Sequence, residues 1–346
     1  MLDALADQAE ADGVRDARER AIEEPVIDPQ RRIIDPHHHL WQRPEFGSYM
    51  LEDLWQDTGS GHRIEKTVFI ECRAFYRTSG PKELQSVGET EAVAELARRS
   101  RGTATAQAAI SGIVAHADLT LCDDLADVLT AHRDVSGGLL RGIRHAGARD
   151  PEPAALRIPG RGLEGQYERS DFQRGVKMLG KFGLSYDTWH YHHQNRAFLA
   201  LARAVPDTVL VLDHFGTPLG VGRFAGVDQR EAIFEQWRKD IAEIAACPNV
   251  YAKLGGLAMP DNGFGWDRRG RPASSDELVE AQGRYYRHAL ECFGPGRCMF
   301  ESNFPVDKVS ITYRAVWNAF KKLVADYSES EKHALFYGTA ERVYRL

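Results

Sequence analysis

Apolar residues along this chain follow two alternating rhythms. Short aliphatic or β-branched runs, of the kind that form buried strands, occur at residues 33–39, 67–72, 108–115, 139–145, 184–188, 208–214, 250–254 and 298–303. Between them lie longer stretches in which apolar positions recur every three or four residues, the spacing of one helix face. This spacing predicts helices over 89–99, 119–129 (behind an Asp118 cap), 172–182 (behind Asp171), 194–204, 228–246, 280–293 and 313–325, with 329–344 as an extra closing helix. Eight short strands that each lead into a helix make the pattern of a parallel barrel. An open doubly wound sheet is the alternative, but no glycine-rich phosphate loop follows the first strand. The expected class is α/β: a single-domain (β/α)8 TIM barrel over residues 32–346.

Residues 1–31 carry Ala, Asp, Glu and Arg with few large apolar side chains. They read as an arm or exposed helix outside the barrel, or as a disordered leader. Two long connections rich in Gly and Pro, 147–170 and 255–276, leave the fourth and seventh strands at their C-terminal ends. Barrels build their sites there, so both read as substrate-selecting loops or as tolerated insertions.

Composition narrows the setting. At 43% hydrophobic and 10% aromatic residues, the chain can bury a large core. A net charge of −6 leaves no electrostatic footprint for nucleic acid and no basic face for a membrane surface. No apolar run is long enough to span a bilayer, and no secretory leader is recognisable. Five scattered cysteines without a C-x-x-C pair suit a reducing compartment. The expectation is a cytoplasmic homo-oligomer acting on a small molecule.

Polar residues gather where the predicted strands end. In Asp35-Pro36-His37-His38-His39, strict alternation puts Asp35, His37 and His39 on one face and His38 on the other. Two imidazoles so placed can grip one divalent ion. Glu71 and Arg73 close the second strand, Arg144 and His145 the fourth, and Asp213-His214 the sixth, where 210, 212 and 214 should share a face. His192 follows the fifth strand, Lys253 lies on the seventh, and Glu301, Asn303 and Asp307 close the eighth. Arg144 and Arg73, with Arg141 and Lys253 behind them, would make the mouth electropositive and suited to an anionic substrate, since guanidinium forks bind carboxylates at two points.

The Asp35-x-His37-x-His39 run resembles the first-strand signature of the amidohydrolase superfamily. Asn249-Val250-Tyr251-Ala252-Lys253-Leu254-Gly255-Gly256 and Tyr337-Gly338-Thr339-Ala340 are similar to its lactonase-like branch, which includes 2-pyrone-4,6-dicarboxylate lactonase and sugar lactone hydrolases. The resemblance runs from about residue 33 onward. It implies a hydrolase for a lactone or related cyclic ester, with His37 and His39 as metal ligands. It also implies a His214 that binds metal or polarises the substrate, and a fifth-strand histidine for which His192 fits best. Arg144, Arg73, His145, His192 and Lys253 are the expected substrate contacts.

The chain departs from the pattern at Asn303, where metal-dependent members carry the aspartate that takes the proton of the attacking water. An amide cannot act as that base. Asp307 or Glu71 would then take the role, with Glu301 the third choice, or the reaction does not run through a metal. The branch contains metal-free members, so one zinc or manganese ion and metal-independent action both stay open. The alternative activity on this barrel is a lyase, decarboxylating an aromatic acid or hydrating an unsaturated one. A non-catalytic binding barrel would have no need of Asp35, His37, His39, His214 and Arg144.

Overall fold

The computed structural model describes residues 24–43, 47–101 and 107–346. Eight strands, β1 (Arg32–His38), β2 (Arg63–Ile70), β3 (Ala109–Ala115), β4 (Leu140–Arg144), β5 (Ser185–Thr188), β6 (Leu210–Leu212), β7 (Val250–Leu254) and β8 (Cys298–Phe300), pair in parallel in that order. The exit of β8 returns to β1: His39 N donates to Phe304 O at 2.8 Å, and Asn303 N donates to His37 O at 3.1 Å. The sheet is thereby closed into the expected (β/α)8 barrel. Helices α1 (Leu51–Thr58), α2 (Val87–Arg101), α3 (Leu125–Val135), α4 (Ser170–Lys181), α5 (Asn195–Ala204), α6 (Val227–Ala245), α7 (Ser275–Phe293) and α8 (Tyr313–Leu323) follow the strands in turn. Among the described residues, no helix is long and apolar enough to cross a membrane.

Several boundaries differ from the sequence reading, each for a local reason. Asp118 does not cap a helix at residue 119. Its Oδ1 accepts from both the amide (3.0 Å) and the hydroxyl (2.7 Å) of Thr120, and Cys122 takes a left-handed φ of 54°, so α3 begins only at Leu125. Conversely, α7 starts earlier than apolar spacing suggests, because Ser274 and Glu277 form a reciprocal capping box. Helix α1 and the short hairpin Trp41–Arg43/Gly47–Tyr49 carry too little periodicity to have been anticipated.

The face assignments also change. A register shift between Asp35 and His38 interrupts alternation in β1. Ile34, not Asp35, enters the barrel beside Val68, Ile70, Val114, Val211 and Met299. Asp35 leaves the interior to accept from Ser302 Oγ (2.6 Å) and Tyr313 OH (2.9 Å) on α8. In β6 the inward residue is Val211, while Leu210 and Leu212 pack outward with the helices. His214 therefore does not continue their stripe.

The closing segment comprises α9 (Glu329–His333), a π turn (Ala334–Gly338) and α10 (Thr339–Tyr344). Tyr337, Ala340, Val343 and Tyr344 pack under the lower apolar layer, and so cover the N-terminal end of the barrel. Residues 1–23, most of the predicted arm, lie outside the described residues. The following stretch is a strap along the barrel: Ser275 N donates to Glu24 Oε1 (2.7 Å), Asn318 Nδ2 to Pro25 O (3.0 Å) and Lys321 Nζ to Ile27 O (2.8 Å).

Ser274→Ala removes the α7 cap and leaves an orphaned amide at Glu277. The expected loss is about 1 kcal/mol, read as a lower urea midpoint with an unchanged slope.

Candidate active site

Above the apolar layer the barrel axis is filled with charge. The ammonium of Lys253 is fully buried and lies 2.9 Å from Asp187 Oδ2 and 3.1 Å from Asp213 Oδ1. From below, Tyr344 OH donates to the same Asp187 oxygen at 2.5 Å. Nearer the mouth, Arg144 is clamped by Glu71, with Nε on Oε1 at 2.9 Å and NH2 on the Glu71 carbonyl at 2.5 Å, and its NH1 lies 3.5 Å from Asp213 Oδ2.

The histidines pack against this column. Glu301 bridges two of them: its Oε2 is 2.6 Å from His37 Nδ1 and its Oε1 is 2.7 Å from His214 Nδ1. His214 gets there by leaving strand geometry, with left-handed φ at 214 (52°) and 215 (60°). The loop after β7 passes against both partners. A Cβ at Gly255 would meet Glu301 O at 2.1 Å, and one at Gly256 would meet His214 Nδ1 at 2.2 Å, so two glycines are required there. His39 Nδ1 lies 2.8 Å from the Ile70 carbonyl, which can only accept, so the neutral ring carries its lone pair on Nε2. That Nε2 faces His37 Nε2 at 3.2 Å.

Burial sets the protonation states. It pushes Glu301 up to about 8 and Asp213 to about 6, against the pull of Lys253. It lowers His214 to about 3, and holds His37 and His39 well below the ordinary imidazole value with help from Lys253 and Arg144. Burial would also raise Glu71, but the charge of Arg144 keeps it below its ordinary value, so it is ionised at neutral pH.

These groups fit a divalent cation. His37, His214 and Glu301 offer ligand atoms that all lie within 4.8 Å of one another. Four carboxylates (Glu71, Asp187, Asp213, Glu301) face two cations (Arg144, Lys253), so with neutral imidazoles the excess is two negative charges when every carboxylate is ionised and one when Glu301 holds its proton. The Nε2 atoms of His37 and His39 face each other across 3.2 Å, and Arg144 approaches His37 Nε2 at 3.4 Å, while Glu301 Oε2, 2.6 Å from His37 Nδ1, has no hydrogen-bond partner. Two nitrogen ligands on one tetrahedral ion sit about 3.3 Å apart.

The Amidohydrolase family profile matches residues 34–346. The chain belongs to the amidohydrolase family. Among its relatives, an L-fucono-1,5-lactonase of Burkholderia multivorans is 31% identical, the match covering 90% of this chain and 96% of the relative. An uncharacterised Sinorhizobium fredii protein is 32% identical, covering 91% and 98% respectively. Among solved structures, a zinc-bound amidohydrolase of Burkholderia multivorans superposes with a TM-score of 0.72 at 25% identity, covering 91% of this chain and all of the other.

In this amidohydrolase the predicted residues divide into two groups. His37, His39, Glu71, Arg144, His214 and Lys253 converge, although Lys253 sits deep on its two carboxylates rather than at the mouth. Asn303 and Asp307 lie behind them. Asn303 Nδ2 donates to Asp307 Oδ1 (2.8 Å) and Ala258 N to Asp307 Oδ2 (3.0 Å), so both carboxylate oxygens are engaged. His145 accepts from Leu119 N (3.1 Å), and His192 accepts from Leu219 N (3.2 Å) against Phe224; neither is joined to the cluster. Arg73 is exposed, with a left-handed φ of 62°. Sequence reasoning missed Asp187 and Tyr344. A carboxylate inside the fully buried run Ser185-Tyr186-Asp187-Thr188 was the available signal, since charges are almost never buried unpaired.

The raised Glu301 fixes a pH dependence. Folded protein binds this proton up to about pH 8, while the unfolded chain releases it near the ordinary 4.5. Against the opposite contribution of His37, His39 and His214, which the folded state holds neutral, Glu301's own contribution to the stability of the chelator-treated protein is greatest below that ordinary value and falls as pH rises through the window. Asp213, raised to about 6, adds in the same direction. In urea unfolding with EDTA, the parent should lose stability relative to Glu301→Gln by on the order of a few kcal/mol as pH rises from the ordinary carboxyl value to about 8.

Proposed function

We propose that this enzyme hydrolyses a small lactone of the sugar-acid type at the C-terminal mouth of the barrel. The observation that carries this reading is the Glu71–Arg144 pair. One guanidinium is locked by its neighbour's carboxylate and carbonyl, and the second carboxylate oxygen, Glu71 Oε2, has no hydrogen-bond partner. Both side chains are slightly exposed (5% for Glu71, 6% for Arg144), whereas Glu301, Asp213 and Lys253 beneath them are sealed. An ionised carboxylate and a fixed cation thus lie side by side just beneath the surface of the mouth, with Oε2 itself shielded until a substrate or water displaces its cover. The 31% identity to a lactonase supports the substrate class.

Glu71 Oε2 accepts a proton from water as that water attacks the lactone carbonyl carbon. The oxygen of the tetrahedral intermediate, now negative, lies against Arg144, whose orientation costs nothing at the moment of reaction because Glu71 and Asp213 have already set it. When the ring C–O bond breaks, the departing alkoxide recovers the proton, leaving a hydroxy acid. Asp307, with both oxygens engaged, is the weaker choice of base. His37, His214 and Glu301 would hold a divalent ion, which would supply Lewis acidity toward the carbonyl. His39 and Glu301 orient the His37 ring in either case.

Hydrolysis of a panel of aldonolactones, L-fucono-1,5-lactone included, is the direct test. Turnover should fall by roughly 10²–10³ in kcat for Arg144→Gln and by roughly 10²–10⁴ for Glu71→Gln, with Asp307→Asn much closer to the parent. Conversion of a hydroxybenzoate with loss of CO2, and no action on any lactone, would replace this reading with the lyase.

A further inference from the structure

At the opposite, N-terminal end of the barrel, arginines gather without a carboxylate partner among the described residues. Many surface arginines are matched by a carboxylate, among them Arg32 with Glu65, Arg77 with Glu91 and Arg99 with Glu52. Among the described residues, no carboxylate forms an ion pair with Arg133, Arg141 or Arg345. In a chain with a net charge of −6, that is a local reversal of the global balance.

The three are held in place by other means. Arg141 leaves β4 beside the register shift between β3 and β4. Its NH1 donates to Gly138 O (2.7 Å) and Leu140 O (3.2 Å), while its buried Nε has no partner. Arg345 and Arg101 lie near enough to lower the Arg141 pKa further than burial does alone, as expected for like charges without a counter-ion. Arg133 donates through NH2 to Phe182 O (3.1 Å), and its guanidinium lies 5.1 Å from the centre of the Phe182 ring. Arg345 sits at the left-handed end of α10 (φ 51°), where nothing bonds its side chain. Arg133 and Arg345 border a cleft of about 480 Å³ whose apolar wall is Leu140, Phe182 and Leu184. That volume suits a small molecule.

We propose that this cleft binds a small organic phosphate, with the phosphoryl group between Arg133 and Arg345 and the apolar body against Phe182 and Leu184. A phosphate monoester offers three oxygens and close to two negative charges, enough for more than one guanidinium fork, whereas a carboxylate satisfies one. The site is separate from the barrel mouth and does not depend on the reaction assigned there.

Calorimetric titration of the whole protein with phenyl phosphate tests the assignment. One saturable site is expected, weakening as salt rises and binding benzoate less tightly. The double variant Arg133→Gln/Arg345→Gln should bind about ten-fold more weakly or worse, with the single Arg345→Gln intermediate. Because Arg345 is exposed and its side chain makes no bond, the single variant reads the site even if the double variant folds poorly. Absence of saturable binding, equal affinity in the single variant, or loss of binding in Arg144→Gln (which would place the phosphate at the mouth) would overturn the proposal.

Discussion

The interior of this barrel is arranged around one ammonium. Lys253 has no access to water, and a charge in that position is tolerable only beside opposite charge with its donors used. Asp187 and Asp213 meet that requirement, and each then constrains the next group. Asp187 also holds Tyr344 from below, while Asp213 faces Arg144, which Glu71 clamps from above. Tyrosine, carboxylate, ammonium, carboxylate, guanidinium and carboxylate thus follow one another from the floor of the barrel to its mouth. His37, beside Lys253, is kept neutral by that neighbourhood as well as by its burial, which preserves its lone pair as a donor.

Three of the strand ends around the site share a backbone habit. Arg73, His214, Phe215 and Asn303 all take left-handed φ where β2, β6 and β8 run out. Such conformations cost non-glycine residues free energy and persist when the surroundings over-determine them. Here they re-aim side chains that strand geometry would send elsewhere. His214 reaches Glu301 by this turn, and Asn303 reaches Asp307 and the His37 carbonyl.

The limits of the sequence reading follow from this. Eight strands and most helices were legible because burial on both faces leaves apolar runs, and helices leave a 3.6-residue rhythm. The first-strand histidines, Glu71, Arg144 and His214 were legible as polar residues ending apolar runs. What failed was strict alternation. A register shift moved Asp35 off the face of His37, and a departure from strand geometry separated His214 from the Leu210 and Leu212 stripe. Asp187 and Tyr344 escaped because their partners are far away in sequence, and nothing local marks a residue whose role is to neutralise a distant lysine.

The contact between Tyr344 and Asp187 spans 157 residues. The eight strands alone therefore do not seal the barrel, whose floor is completed by α10. Without that helix the lower end would be open, and solvent would reach the charges that the folded protein keeps dry. The dryness of the catalytic interior thus depends on a segment outside the alternation of strands and helices, and a change at Tyr344 is relayed to the mouth through Asp187, Lys253, Asp213 and Arg144.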